Sequence, residues 1–268
     1  MAGQPVWVWP AAGPRWLLLH GFTGSPLSWR KVAGLVASRA ALVAPALPGH
    51  DGGASHGGPG TFQGAVDELA GVVGRIGPGP WRVAGYSMGG RLALGLLVAH
   101  PGLFERGVLI GASSGLAAAG ERHERRRSDA RWSELLRSMG VATFLAEWEK
   151  LPLFASQDDL PPQTLAEQRE TRVRHDAEGL ARALEVLGLG GMPDLAPALA
   201  AVSTPVTLVA GEADEKFVLS ARMMSERLPA ATVQIVPGCG HNVVLERPQV
   251  VVEILLAAAG GGAGEGRG

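Results

Sequence analysis

Ser87 stands in Gly85-Tyr86-Ser87-Met88-Gly89-Gly90, between an apolar run (Trp81, Val83, Ala84) and a second apolar stretch with helical spacing (Leu92, Ala93, Leu94, Leu96, Leu97). A G-x-S-x-G spacing in a strand-turn-helix context marks a nucleophile elbow: the turn presents a strained serine, and the glycines leave it room. A serine hydroxyl is a weak nucleophile and a weak base until a neighbour takes its proton. The elbow therefore asks for a histidine oriented by an acid. Leu208-Val209-Ala210-Gly211-Glu212-Ala213-Asp214 places two acids just past a late apolar run, and Gly238-Cys239-Gly240-His241-Asn242 places a histidine in a glycine-rich loop after the next one. His20-Gly21-Phe22-Thr23-Gly24 ends the first clear apolar run, where a turn can aim a backbone amide at the serine. The amides of Phe22 and Met88 are the expected oxyanion donors, the second at a helix N-terminus.

Such residues need rigid elements behind them. Short apolar runs bounded by Gly, Pro or Asn alternate with helix-length amphipathic segments, the pattern of a parallel sheet covered on both faces. Strands are expected at Trp16–Leu19, Ala41–Ala44, Trp81–Gly85, Gly107–Ile110, Val206–Ala210 and Val233–Val236, with Val6–Trp9 as an additional edge strand. Helices are expected over about 25–38, 61–76, 88–99, 217–228 and 248–258. The alternation stops after Ile110 and resumes at Thr204-Pro205. The stretch between is charged, carries Trp132, Phe144, Trp148 and Phe154, and has helical texture. It reads as a helical lid, since structureless loops of that length are rare in compact domains. Residues 1–112 and 200–259 are then the core, 113–199 the lid and 260–268 a glycine-rich disordered tail.

The bulk composition excludes several functions. A chain of 268 residues can bury a full core without disulfides or metals. Its 24 basic and 25 acidic residues leave a net charge of -1, which offers no field for nucleic acid or an anionic membrane. The single cysteine, Cys239, has no internal partner, and residues 1–15 lack the pattern of a secretory signal, so a cytoplasmic protein is expected. No apolar run is long enough to span a bilayer. No phosphate loop or metal-ligand cluster stands out, and neither cofactor nor metal is expected.

The arginines point to an anion. Arg91 falls in the first turn of the helix after Ser87, where a cation opposes the helix dipole and invites an anionic partner. Glu121-Arg-His-Glu-Arg-Arg-Arg-Ser-Asp129 and the group Arg169, Arg172 and Arg174 lie in the lid. A run of this kind is usually a solvated helix face, yet guanidinium forks bind carboxylates in bidentate fashion.

The order serine, acid, histidine is that of the α/β-hydrolases, and the sequence resembles that superfamily, whose G-x-x-D motif selects Asp214 over Glu212. Leu47-Pro48-Gly49-His50 matches a structural loop of the fold. More selectively, Gly85-Tyr-Ser-Met-Gly-Gly-Arg91, Glu124-Arg-Arg-Arg-Ser-Asp129, Trp148 with Pro152-Leu-Phe-Ala155, Gly211-Glu-Ala-Asp-Glu-Lys-Phe217 and Gly240-His-Asn242 are similar to the 2-succinyl-6-hydroxy-2,4-cyclohexadiene-1-carboxylate synthases of menaquinone biosynthesis. The resemblance implies an α/β-hydrolase fold: a mostly parallel sheet, helices on both faces and an inserted helical lid. It implies Ser87, Asp214 and His241 as a catalytic triad, with Tyr86, Arg91, Arg127, Trp148 and Arg174 around a polycarboxylate substrate. Arg169 and Arg172 remain alternatives to Arg174, and Trp148 and Phe154 are equally suited to the core of the lid. The implied reaction is a lyase step that eliminates pyruvate without a cofactor. A serine carboxylesterase or C-C hydrolase of a small anionic substrate is the alternative, and a non-catalytic ligand-binding relative is disfavoured by the intact triad.

Overall fold

The computed structural model describes residues 5–50 and 59–260; of the tail expected at 260–268, Gly260 instead ends the last helix, and 261–268 lie outside the described residues. Seven strands form one sheet: β1 (Val6–Trp9), β2 (Arg15–Leu19), β3 (Ala41–Pro45), β4 (Trp81–Tyr86), β5 (Phe104–Ile110), β6 (Val206–Gly211) and β7 (Ala231–Val236). Their order is β1-β3-β2-β4-β5-β6-β7. β1 runs antiparallel to β3, and every other neighbouring pair is parallel.

Side chains alternate across the strands, so the apolar runs feed two cores. Leu17, Leu19, Val83, Leu109 and Leu208 face one side. There they meet helices α2 (Phe62–Ile76), α3 (Met88–Ala99) and α7 (Glu215–Ser225) through Val66, Leu69, Leu92, Leu96 and Met224. Trp16, Leu18, Ala84, Val108, Ile110 and Val209 face the other side, against α1 (Arg30–Val36) and α9 (Pro248–Gly260) through Val32, Val36, Val251 and Leu255. Truncating a fully buried leucine such as Leu18 to alanine would cost about 2–5 kcal/mol. No helix among the described residues is long and apolar enough to cross a membrane.

Two strands begin two or more residues earlier than expected. Phe104 is buried but is followed by Glu105 and Arg106, so β5 opens on an alternating stretch that a search for continuous apolar runs passes over. β7 opens on Ala231-Thr232, at the sheet edge where one face is wet. The expected helix at 25–38 is a 3-10 turn at Pro26–Trp29, α1, and a second turn at Ala37–Arg39.

The connection from β5 to β6 carries α4 (Ala119–Trp148, bent at Gly140), α5 (Pro162–Arg172) and α6 (Ala177–Leu187), with 3-10 turns at Pro152–Asp159 and Ala196–Ala201. α4 and α6 share a small core of their own, Leu136, Phe144 and Leu145 against Leu180 and Leu184. This helical insertion is tied across the carboxyl ends of the strands. His175 meets the Thr23 carbonyl (3.1 Å), Ser156 meets Glu246 (3.1 Å), and Arg30 pairs with Glu167 (2.8 Å). The carboxyl edge of a parallel sheet is where such folds hold ligands.

Candidate active site

Ser87 sits between β4 and α3 with φ 52° and ψ −112°, a conformation that costs a non-glycine residue about 1–3 kcal/mol. Its neighbours hold it there. The Ser87 amide donates to Ile110 O (2.8 Å) and its carbonyl accepts from Arg91 N (3.0 Å). A Cβ on Gly85 would run into the Gly89 backbone, and one on Gly89 would run into the Leu19 carbonyl. The flanking glycines are therefore steric requirements of a turn pressed against β2.

Ser87 Oγ and His241 Nε2 are 2.9 Å apart, and His241 Nδ1 is 2.6 Å from Asp214 Oδ2. His241 is 2 % exposed and Asp214 8 %. Asp214 lies just beyond β6, where its amide donates to Gly211 O (3.0 Å). The imidazole packs between the Phe217 ring (centroids 4.6 Å apart) and the Tyr86 ring (5.3 Å). A Cβ on Gly111 would come within 2.9 Å of His241 Cε1, so the end of β5 has to be bare where the ring passes. Hydrogen bonds thus link Ser87, His241 and Asp214 in sequence, the arrangement in which a histidine can take a serine proton while a carboxylate fixes its tautomer.

The loop after β2 closes on the same serine. A Cβ on Gly21 would lie 3.5 Å from Ser87 Cβ. Thr23 takes φ 59°, and the Thr23 amide donates to His50 Nε2 (3.2 Å). Because Leu47 N donates to His20 Nε2 (3.1 Å), the His20 proton sits on Nδ1, which donates to Gly21 O (2.9 Å). The His50 Nδ1 proton points at Pro48 O by the same reasoning (3.1 Å). Both rings are thereby kept neutral. Burial lowers His20 to about 3 and puts His50 well below the ordinary histidine value, with the neighbouring histidines adding to the effect. Phe22 reaches outward from this loop to Trp148 (5.4 Å between centroids) and Phe144 (6.1 Å). Met88 opens α3, and its amide is one of the four that have no acceptor within a helix.

The tyrosine and arginines divide sharply. Tyr86 is 9 % exposed, and burial raises its hydroxyl above the ordinary tyrosine value. It lines a cavity with His20, Asn242 and Arg172. Arg172 lies over the Phe154 ring (5.8 Å) and donates to Glu149 (3.2 Å); burial lowers its pKa, which Glu149 opposes. Arg174, expected beside the substrate, has a side chain that is 67 % exposed and paired with Glu170, and it is not among the residues lining that cavity. The physical reason is that α5 ends at Arg172, the last residue directed inward. Arg169 is also exposed and shares Glu149.

Arg127, also expected beside the substrate, is exposed on α4, whereas Arg125 pairs with the buried Asp129 (2.9 Å). Two positions along a helix turn a side chain by about 200°, so Arg125 and Arg127 face opposite ways. Arg91 donates to Leu187 O (2.7 Å). Its pKa is lowered to about 10, by burial first and then by Arg125, with Asp129 opposing. Arg91 and Arg125 thus repel each other beside a single buried carboxylate. Trp148 stands in an aromatic group with Trp132 (5.2 Å), Phe144 (5.3 Å) and Phe154 (6.1 Å), half-buried where the insertion meets Phe22.

Sequence reasoning passed over Glu246, which accepts from Gly240 N (2.8 Å) and Asn242 N (3.2 Å) on either side of His241. It places Arg125, with Arg122 and Arg126, on a solvated helix face, and it passed over the contacts among His20, His50 and His175. The available signal for Arg125 was its i,i+4 spacing to Asp129. Among the described residues, no group of three or more His, Cys, Asp or Glu is placed to hold a metal ion.

Residues 16–254 match the model of the alpha/beta hydrolase family. The chain is 34 % identical over 246 residues to a protein of Escherichia coli O157:H7 (strain EC4115 / EHEC) named 2-succinyl-6-hydroxy-2,4-cyclohexadiene-1-carboxylate synthase, covering 91 % of this chain and 93 % of that one. It is 33 % identical over 256 residues to a protein of the same name from Salmonella heidelberg (strain SL476), covering 95 % of each. Among solved structures it resembles MenH from S. aureus, with a TM-score of 0.89 and 27 % identity over 94 % of this chain and 97 % of that one. A thermophilic esterase from Thermogutta terrifontis shares the fold at a TM-score of 0.79 and 24 % identity, over 95 % and 94 % of the two chains.

Proposed function

The chain belongs to the alpha/beta hydrolase family, and within it to the 2-succinyl-6-hydroxy-2,4-cyclohexadiene-1-carboxylate synthases, and from that membership we propose the reaction it performs. It is a lyase of menaquinone biosynthesis that converts 2-succinyl-5-enolpyruvyl-6-hydroxy-3-cyclohexene-1-carboxylate to 2-succinyl-6-hydroxy-2,4-cyclohexadiene-1-carboxylate and pyruvate. The observation that carries this reading is the hydrogen-bonded sequence of Ser87, His241 and Asp214, in a chain at least 33 % identical to two synthases over more than nine-tenths of its length.

The two compound names define the bond changes. A proton leaves ring carbon 2, the 3,4 double bond moves, and the C–O bond at carbon 5 breaks, leaving the 2,4-diene. Ser87 acts as the base: its own proton passes to His241 Nε2 as Oγ takes the ring proton, and Asp214 stabilises the imidazolium. The enolpyruvyl group leaves as the enolate of pyruvate and takes up a proton on carbon. Electrons balance without an oxidant, reductant or nucleotide. Negative charge developing on the succinyl carbonyl is met by the amides of Phe22 and Met88. Arg172, Arg91 and Arg125 are the cations proposed for the three carboxylates, with Tyr86 and Trp148 shaping the site. The partner is a small polycarboxylate, not nucleic acid or membrane, and the compartment is the cytoplasm.

A coupled pyruvate assay with the cyclohexene substrate tests this. Pyruvate must form in equal amount with the diene, in wild type and not in Ser87→Ala. Turnover of simple esters with no pyruvate from that substrate would replace the lyase with a carboxylesterase.

A further inference from the structure

The loop that carries His241 is built around a carboxylate that the reaction does not consume. Glu246 lies in a four-residue helix, α8 (Val243–Glu246), and is 7 % exposed. It accepts from the amides of Gly240 (2.8 Å) and Asn242 (3.2 Å), the two residues that bracket the histidine. Asn242 closes the loop from the other direction by accepting from Leu245 N (3.2 Å). A third donor reaches Glu246 from the helical insertion, Ser156 Oγ at 3.1 Å. That serine is packed hard on the loop, since a Cβ on Gly240 would come within 2.7 Å of Ser156 Cβ. Ser156 follows directly on the Pro152-Leu153-Phe154-Ala155 motif, and Phe154 lies under Arg172 (5.8 Å).

We propose that Glu246 is a positioning residue for His241, clamping the amides on both sides of it, and that Ser156 makes this clamp sensitive to the seating of the insertion. Two N–H groups held by one carboxylate fix the backbone torsions at His241, and with them the ring that must bridge Asp214 and Ser87. Arg172 and Ser156 belong to the same wall of the insertion, so that wall joins substrate contacts to the histidine loop. The proposal rests on His241 being the partner of Ser87 in the reaction proposed above.

The geometry dictates the test. Gln in place of Glu offers one acceptor oxygen for two amides, so Glu246→Gln frees one side of His241. The account expects kcat to fall about 100-fold, as for a catalytic group misplaced by about 1 Å, with KM changed less than about twofold. The low-field NMR resonance of the His241 Nδ1 proton should shift or broaden. Ser156→Ala leaves the carboxylate in place and should lower kcat about two- to fivefold. In the double variant the Ser156 change should add little, because both act through one contact. If Glu246→Gln lowers only the melting temperature and leaves kcat and the Nδ1 proton as in wild type, the clamp is structural and the proposal falls. If Glu246→Gln fails to fold, Ser156→Ala decides: unchanged kcat and an unchanged Nδ1 signal overturn the proposal. His241→Ala separates the two levels of the argument, for retained pyruvate formation there removes the proposed function itself, whereas its loss alongside an indifferent Glu246 removes only the clamp.

Discussion

The serine and histidine loops and the helical insertion hold their functional side chains by different means. In the loops, backbone constraints do the work. Ser87 is pinned at φ 52° by a main-chain bond to Ile110, and His241 is bracketed by two amides bound to Glu246. In the insertion, helix faces decide: Arg125 is turned inward to Asp129 and Arg127 outward, two residues apart on one helix. The core therefore has little freedom to misplace its chemistry, while in the insertion the phase of each helix decides which cation faces inward.

The strongest attack on this comparison is Ser87→Ala. Circular dichroism should remain native, because alanine keeps the Cβ and the main-chain bonds that hold the turn, while turnover falls by several orders of magnitude, as for residues that act as a unit. Near-normal turnover would leave the strained turn without a purpose.

The core side of the comparison also predicts a pH effect on stability. His20 and His50 are buried neutral, so protons bind the unfolded chain more readily than the folded one. Stability is fully present above the ordinary histidine value near 6.5 and is lost as pH falls toward their depressed folded values. For His20, lowered to about 3, the loss at pH 5 is about 2 kcal/mol, and His50 adds in the same direction. Urea midpoints at pH 7.5 and pH 5 measure it. A flat profile, or one unchanged in His20→Gln, would contradict the neutral assignment.

On the insertion side, Arg172→Ala and Arg125→Ala should each lower kcat/KM by about 1.5–3 kcal/mol, the scale of a lost charged hydrogen bond. Arg174→Ala and Arg127→Ala should stay within about 0.5 kcal/mol of wild type, as exposed substitutions do. Steady-state kinetics on the four variants decides which face of each helix meets the substrate, and equal effects would erase the distinction.

The same contrast explains what the amino-acid sequence reveals unaided. Gly85, Ser87, Gly89 and the loop positions of Asp214 and His241 are legible because a tight turn has few solutions and each leaves a local pattern. The strands are legible as short runs of buried residues, except where β5 opens on Glu105-Arg106. The outward facing of Arg127 and Arg174 is not legible, because a cluster of arginines marks a region but not a facing direction, which depends on helix phase and on where α5 ends. Glu246 is hidden differently. Its role comes from bonds to backbone amides four and six residues earlier on a loop folded back on itself, and nothing in its side-chain type announces that.

The central claim is that Ser87 removes a proton and does not attack carbon. Mass spectrometry of the protein quenched during turnover, beside a pyruvate assay on the same sample, tests it most directly. The account predicts stoichiometric pyruvate with Ser87 at its unmodified mass at every time point. An acylated Ser87 that accumulates in a burst, with no pyruvate released, would contradict it.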